Sequence, residues 1–418
     1  MTLLDTKLDL EFVRKQFPAF SEPSLQGQAF FENAGGSYAC GQVIERLTNY
    51  YRKTKVQPYY PYPASTQAGE MMDSSYQSFA KYLNIRPEEV MFGPSTTQNT
   101  YVLAHAMADY LQEGDEIIVT NQDHEANGGA WRRLAKRGIV VKEWQVNNET
   151  GGLETLGLKA LLNDKTKLVT FPHCSNIVGE INPVTEWTRL AHAAGAAVVA
   201  DGVSYAGHGF PDMQELGCDI YLFSLYKTYG PHQGAMVVRE HFMPKLTNQS
   251  HYFNDGEVHK RLVPAGPDHA QVACADAVLD YVEASFAHHG GSAGASLREQ
   301  CAEVTELWQR QEDSLTPMLL DAVHGNDAVR LLGPETLDAT PGHRCPTIAF
   351  SPTAIEPGEV ELALVERGVQ TSAHHFYGWR VLDGMGVDPE RGCVRLSFVH
   401  YTSHADIERV VDALGAIT

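Results

Sequence analysis

The stretch from about residue 85 to 240 constrains the fold most, because short β-rich runs alternate there with helical patterns. The runs are "EVMFG", "DEIIVT", "GIVVKEW", "TKLVTF", "AAVVAD", "DIYLFS" and "GAMVVR". Residues 97–111, 126–137 and 184–194 carry helix-like spacing between them. Strands that alternate with helices build a largely parallel sheet covered on both faces. Ligands of such sheets gather at the carboxyl ends of the strands. The chemistry of this chain is therefore expected where its strands end.

At 418 residues the chain is long for one core, so a large α/β unit with a smaller companion is expected. "HHGGSAGAS" reads as a loop, and a long helical pattern follows it. After Cys345, strand-like "TIAFSP", helix-like "EVELALVERG", strand-like "CVRLSFVHY" and a final helix "HADIERVVDALGAI" form a compact αβ unit. The boundary is placed near residue 290. No internal repeat or low-complexity segment is found.

A formal charge of −20 opposes binding to nucleic acid phosphates and anionic membranes, so neither is an expected partner. The seven scattered cysteines form no C-x-x-C pair. They argue against a disulfide framework or a structural zinc and for a reducing cytoplasm. The N-terminal stretch lacks the apolar core of a signal peptide. No apolar run reaches membrane-spanning length.

Five strand ends carry polar residues. Ser95, Thr96 and Thr97 follow "VMFG" and open a helix; His124 follows "EIIVT"; His173 and Asn176 follow "KLVTF". Asp201 ends "AAVVAD", and Ser224 ends "DIYLFS" with Lys227 just beyond. Taken singly, each has an ordinary reading: a solvated lysine, an Asp-Gly turn, a helix cap, a surface histidine. Together they suit pyridoxal 5′-phosphate, PLP. Its aldehyde needs a lysine amine, and its ring nitrogen needs an anion. Lys227 and Asp201 stand 26 residues apart, one helix plus one strand, so they can emerge from neighbouring strands. His124 offers a flat partner for the ring. The helix start at Ser95, Thr96 and Thr97, with Ser224, offers N–H and hydroxyl donors for a phosphate. Arg395 in "CVRLSF" is the candidate for a substrate carboxylate.

The ordered set resembles the class V aminotransferase family of PLP enzymes, in its cysteine desulfurase-like branch. "SLYKTYGPHQGAM", "HCSNIVGEINPV", "VVADGVSYAGH", "DHEANGGAW", "VRLSFVHYTSHADIERVVDAL" and "FFENAGGSYAC" carry the resemblance, which spans nearly the whole chain. It implies fold type I: a large, seven-stranded, mostly parallel sheet domain (29–290) and a smaller αβ domain built from both termini (1–28 and 291–418). It implies Lys227 as the Schiff-base lysine, Asp201 as the pyridinium partner and His124 as the stacking ring. It also implies phosphate contacts from Thr96, Thr97 and Ser224. Asn176 lies near the cofactor's phenolic oxygen or the substrate. Arg395 holds the substrate carboxylate, and Gly35 and His375 line the substrate side. A homodimer acting on a small α-amino acid is expected.

Departures matter as much. The stretch "VQTSAHHFYGWRVLDGMGV", where desulfurases carry a mobile-loop cysteine, has none, and Cys393 falls on a strand. That argues against persulfide chemistry, which needs a thiolate. Tyr226 replaces a frequent histidine before the lysine but can still donate to phosphate. Ser204 stands where relatives often carry glutamine, and "PAGPDH" lacks the threonine that reaches a partner's phosphate. Phe376, Tyr377 and Trp379 are read equally as pocket walls or as packing residues. Aminotransferase-type proton transfer at Cα is the expected chemistry. A Cβ–S lyase and a non-catalytic PLP-binding paralogue are the alternatives. A short-chain nicotinamide oxidoreductase would need a tyrosine at the position of Phe223.

Overall fold

The computed structural model describes Leu3, residues 6–337 and residues 344–417. Its strands are β1 (Ala29–Phe30), β2 (Val90–Gly93), β3 (Glu116–Thr120), β4 (Val140–Trp144), β5 (Thr166–Pro172), β6 (Ala197–Asp201), β7 (Ile220–Ser224), β8 (Gly234–Val238), β9 (Val329–Leu332), β10 (Thr347–Pro352), β11 (Val369–Gln370), β12 (Ser372–His374) and β13 (Cys393–Ser397). The seven runs read from the sequence form one sheet in the order β2-β8-β7-β6-β5-β3-β4. Only β8 runs antiparallel to its neighbours.

Strict alternation decides how this sheet is covered. Ile117, Val119, Val199 and Leu222 point to one face, packing with Leu103, Met107 and Trp131. Ile118, Val198, Ala200 and Phe223 point to the other, packing with Phe79 and Trp187. A sheet apolar on both faces must be buried on both, which fits the near-continuous apolar strands. The covering helices include Thr96–Met107, Glu125–Arg132 and Val184–Ala193, close to their expected bounds. The second of these tightens into a 3₁₀ turn over Arg133–Arg137 instead of continuing as α-helix. Pro63–Leu83, which has no strong sequence period, is a further long helix against the same sheet.

The helix Leu297–His324 starts at a capping box, where Ser296 and Glu299 satisfy each other's backbone N–H groups. Its Leu315 and Leu319 pack against Ile348, Phe350, Val394 and Leu396 of the second sheet, ordered β12-β13-β10-β9. A division at residue 29 puts β1 in the large domain. Its hydrogen bonds instead run to β11, as Ala29 N–H to Gly368 O and Phe31 N–H to Gln370 O, both 2.8 Å. Asn33 continues this with a side-chain bond to Ser397 O at 3.2 Å. Residues 29–33 thus tie to the C-terminal unit, because a two-residue strand needs a partner and finds one there. No described helix is long and apolar enough to cross a membrane.

Candidate active site

Because β2, β3, β5, β6 and β7 are mutually parallel, their carboxyl ends share one edge of the sheet. A cleft opens there. Ser95, Thr96, Thr97, His124, Asn176, Asp201, Ser204, Ser224, Tyr226 and Lys227 all line it.

Lys227 ends a short 3₁₀ turn that leaves β7. The loop after it closes on itself, with Leu225 N–H donating to Gln233 O at 2.8 Å. Gly230 fits closely there, since a Cβ would stand 3.0 Å from Leu225 O. Ser37 clamps the turn, its N–H on Tyr226 O and its hydroxyl on Lys227 O, both 3.0 Å. The amine lies deep in the fold and opens onto the cleft. Burial, with the nearby Arg395 charge, brings it down to about 8, against the opposing pull of Asp201 and Glu32.

Asp201 closes β6, with Oδ1 accepting from Val203 N–H at 2.9 Å. Burial raises its carboxyl to about 6, and the Val203 N–H and the Lys227 charge hold it from rising further. His124 caps the helix Glu125–Arg132, its Nδ1 accepting from Ala126 N–H at 3.0 Å. Burial, then the Lys227 and Arg395 charges, push this imidazole down to about 3, so it is a neutral flat ring at physiological pH.

Ser95 caps Thr96–Met107 through Gln98 N–H at 3.2 Å. Thr96 Oγ1 and Ser224 Oγ share a hydrogen bond of 2.7 Å. Gly234 lets β8 approach this helix end, where a Cβ would meet Ser95 C and Thr96 N at 2.5 Å. Tyr226 stacks on His232, with centroids 4.5 Å apart.

The remaining candidates flank the cleft. Arg395 is buried on β13 and donates to Asn176 O at 3.1 Å and to Glu32 Oε1 at 2.7 Å. Gly35 gives room to the Glu32 carboxylate, which a Cβ there would overlap. His375 begins a turn in which Phe376 and Tyr377 both take left-handed φ, 48° and 55°. Two such residues in a row are strained and need fixing from outside. Asn176 Nδ2 donates to Phe376 O at 2.9 Å, and Glu125 N–H to Tyr377 O at 2.8 Å. The Tyr377 ring centroid stands 5.2 Å from that of His124. Phe376 is therefore a buried wall beside Arg395, while Tyr377 and Trp379 stay exposed at the rim.

His173 does not join the site. It bonds Tyr221 Oη at 2.9 Å and stacks on Tyr205 at 3.6 Å, inside the core. Glu32 went unnoticed in the sequence, although a strand arginine with no nearby acid called for a distant partner. Asp123, beneath the cleft, was also missed; it accepts from Asn127 Nδ2 at 2.8 Å and Thr120 Oγ1 at 3.1 Å. Burial and the nearby Asp201 charge raise its carboxyl to about 7 against those hydrogen bonds.

This donor set fits PLP. An amine, a buried carboxylate and a neutral ring converge on one cleft, whose floor is a helix N-terminus with two hydroxyls. Asn176 Oδ1 is buried in the same cleft with no partner in the protein. Among the described residues no cluster of His, Cys, Asp and Glu is arranged to hold a metal.

The chain matches the family model for aminotransferase class-V over residues 29–410. It is 32% identical over 426 residues to the aminotransferase-like protein FGM3 of Gibberella zeae, with 99% of each chain covered. A cysteine desulfurase of Pectobacterium carotovorum is 28% identical over 416 residues, with 98% of both chains covered. The apo cysteine desulfurase of Thermococcus onnurineus shares the fold, with a TM-score of 0.85 at 22% identity over 100% of this chain and 99% of that one. The chain belongs to the class-V aminotransferase family, on its cysteine desulfurase-like side, and so to the PLP-dependent enzymes of fold type I.

Proposed function

We propose that the protein is an aminotransferase-type enzyme that moves the Cα proton of a small α-amino acid. The observation that carries this is the Lys227 amine, brought down to about 8 in a cleft shared with Asp201 and His124. An amine with that proton affinity takes and returns a proton near neutral pH. PLP, when bound, withdraws the electron pair left at Cα.

Each residue of the cleft then has one task. Lys227 would hold the cofactor and would take and return the Cα proton. Asp201 would pair with the ring nitrogen, and His124 would offer its flat ring to the cofactor. The N–H groups at Thr96 and Thr97, with the Ser95, Thr96 and Ser224 hydroxyls and Tyr226 Oη, would hold the phosphate. Ser204 and Asn176 would be available to the rest of the cofactor. Arg395 orients the substrate carboxylate, and Phe376 excludes water beside it.

The cysteines support this over a desulfurase reading. All seven are unbridged and buried. Cys393 lies on β13 with its thiol pushed up to about 12 by burial. Cys174 lines the cleft, but its Sγ is turned to Gly179 O at 3.4 Å. The desulfurase relative keeps Cβ elimination as the second reading. Unbridged thiols also support a reducing compartment, the cytoplasm. The exposed Tyr59, Tyr60, Tyr252 and Phe253 support a homodimer.

The test is incubation of the PLP-loaded protein with a panel of amino acids and no keto-acid acceptor. One equivalent of keto acid per site, with the cofactor left in its amine form, is the expected result. Continuous release of ammonia with pyruvate, or of sulfide, would replace this proposal with a lyase.

A further inference from the structure

Arg395 is not a free cation waiting for a substrate. Its side chain is 3% exposed, and Nη2 donates to Glu32 Oε1 at 2.7 Å. Nη1 donates to Asn176 O at 3.1 Å, and the guanidinium carbon lies 3.9 Å from the Phe376 ring centroid. The pair is nevertheless incomplete: Glu32 Oε2 and Arg395 Nε are both buried without a hydrogen-bond partner. A buried ion pair offsets its desolvation only when its remaining lone pairs and protons are satisfied. This one leaves an acceptor and a donor open beside Asn176, a residue of the cleft.

The chain is shaped to seat the Glu32 carboxylate in that position. Gly35 and Gly36 N–H groups donate to Glu32 O at 3.0 and 3.2 Å, forming a tight turn. The turn folds Gly35 over the carboxylate, where a Cβ would meet Glu32 Oε1 and push that side chain aside.

We propose that Glu32 is a substrate-binding residue that competes for Arg395, occupying it until a substrate carboxylate takes its place. This rests on the reading that Arg395 receives the substrate carboxylate. Substrate binding is then an exchange of one carboxylate for another at a single guanidinium. No bond is made or broken; only the ion pair changes partners. A simple carboxylate gains little from the exchange, because it loses the attraction that Glu32 already supplied. An amino acid gains more, because its amino nitrogen and side chain are held elsewhere in the cleft. Glu32 thus sets a cost that every carboxylate meets at Arg395, and only a ligand held elsewhere in the cleft as well exceeds it comfortably.

The experiment is calorimetric titration of the PLP-loaded protein with propionate, a carboxylate with no amine. Wild type, Glu32→Gln, Gly35→Ala and Arg395→Gln are compared, each with its melting temperature. Glu32→Gln is expected to bind propionate about tenfold more tightly than wild type, the weight of one charge-assisted hydrogen bond. Gly35→Ala, which crowds the carboxylate from its seat, moves affinity the same way and serves if Glu32→Gln does not fold. Arg395→Gln loses the binding. Unchanged, weaker or undetectable binding in both Glu32→Gln and Gly35→Ala would overturn the exchange, and measurable wild-type binding that is lost in Arg395→Gln would leave the role of Arg395 standing. Binding that survives in Arg395→Gln would overturn that role itself.

Discussion

Replacing Lys227 by methionine removes a buried amine while keeping an unbranched stem in its place. The amine falls from its ordinary 10.5 to about 8 on folding. At about 1.4 kcal/mol for each tenfold change in proton affinity, the ceiling on this effect is about 3 kcal/mol. The amine opens onto the cleft, so solvent screening reduces it to about 2 kcal/mol. Between pH 8 and 10.5 the unfolded chain keeps a proton that the folded protein has lost. Stability therefore rises with pH across that window, and the penalty is present in full below it. In the absence of cofactor at pH 7, Lys227→Met is expected to be the more stable protein by about 2 kcal/mol, a few degrees in Tm. The gap closes as pH rises from 8 to above 10. The assay is differential scanning fluorimetry of both apo-proteins from pH 7 to 10.5. Other groups titrate in both proteins, so the difference isolates Lys227. A wild type that is more stable at pH 7, or a gap that does not change with pH, would refute the claim that burial strains this amine. The sign also separates a functional lysine from a structural one, since removing a structural lysine would not stabilise the fold.

Other substitutions test the rest of the cleft. Gly234→Ala places a Cβ 2.5 Å from the Ser95–Thr96 backbone, so the helix must retreat by about 1 Å. It should cost about 1–3 kcal/mol and weaken PLP binding tenfold or more, read by fluorescence titration. Asn176→Ala frees the strained turn at Phe376 and Tyr377, and hydrogen exchange of residues 375–379 should rise while the large sheet stays protected. All seven cysteines are buried, so a thiol reagent at pH 7 should label the native protein slowly and release seven equivalents only after denaturation. A fast-reacting thiol would revive a desulfurase reading.

The large sheet was legible because its strands are short, apolar and separated by helical spacing, and each lies close to where that pattern put it. The polar residues at strand ends were legible for the same reason. Parallel strands bring their carboxyl ends to one edge, so order along the chain translates into position around a cleft. The helix Pro63–Leu83 and the strand β12 were harder to read. The first carries small and polar residues on much of its surface, and the second holds only three residues. His173 shared the signature of a site residue, yet the pleat turned it toward Tyr221 and Tyr205.

What the sequence determined by itself was local: strand alternation, helix starts, tight turns at glycine, and which residue types follow each strand. Those depend on a few neighbouring residues and on backbone sterics. Tertiary structure alone decided the pairings across hundreds of residues. Glu32 meets Arg395 over 363 positions, and Asn176 meets Phe376 over 200. It also decided the proton affinities of Lys227, Asp201 and His124. Burial sets those values, and burial is a property of everything packed around a residue rather than of the residues beside it in the chain.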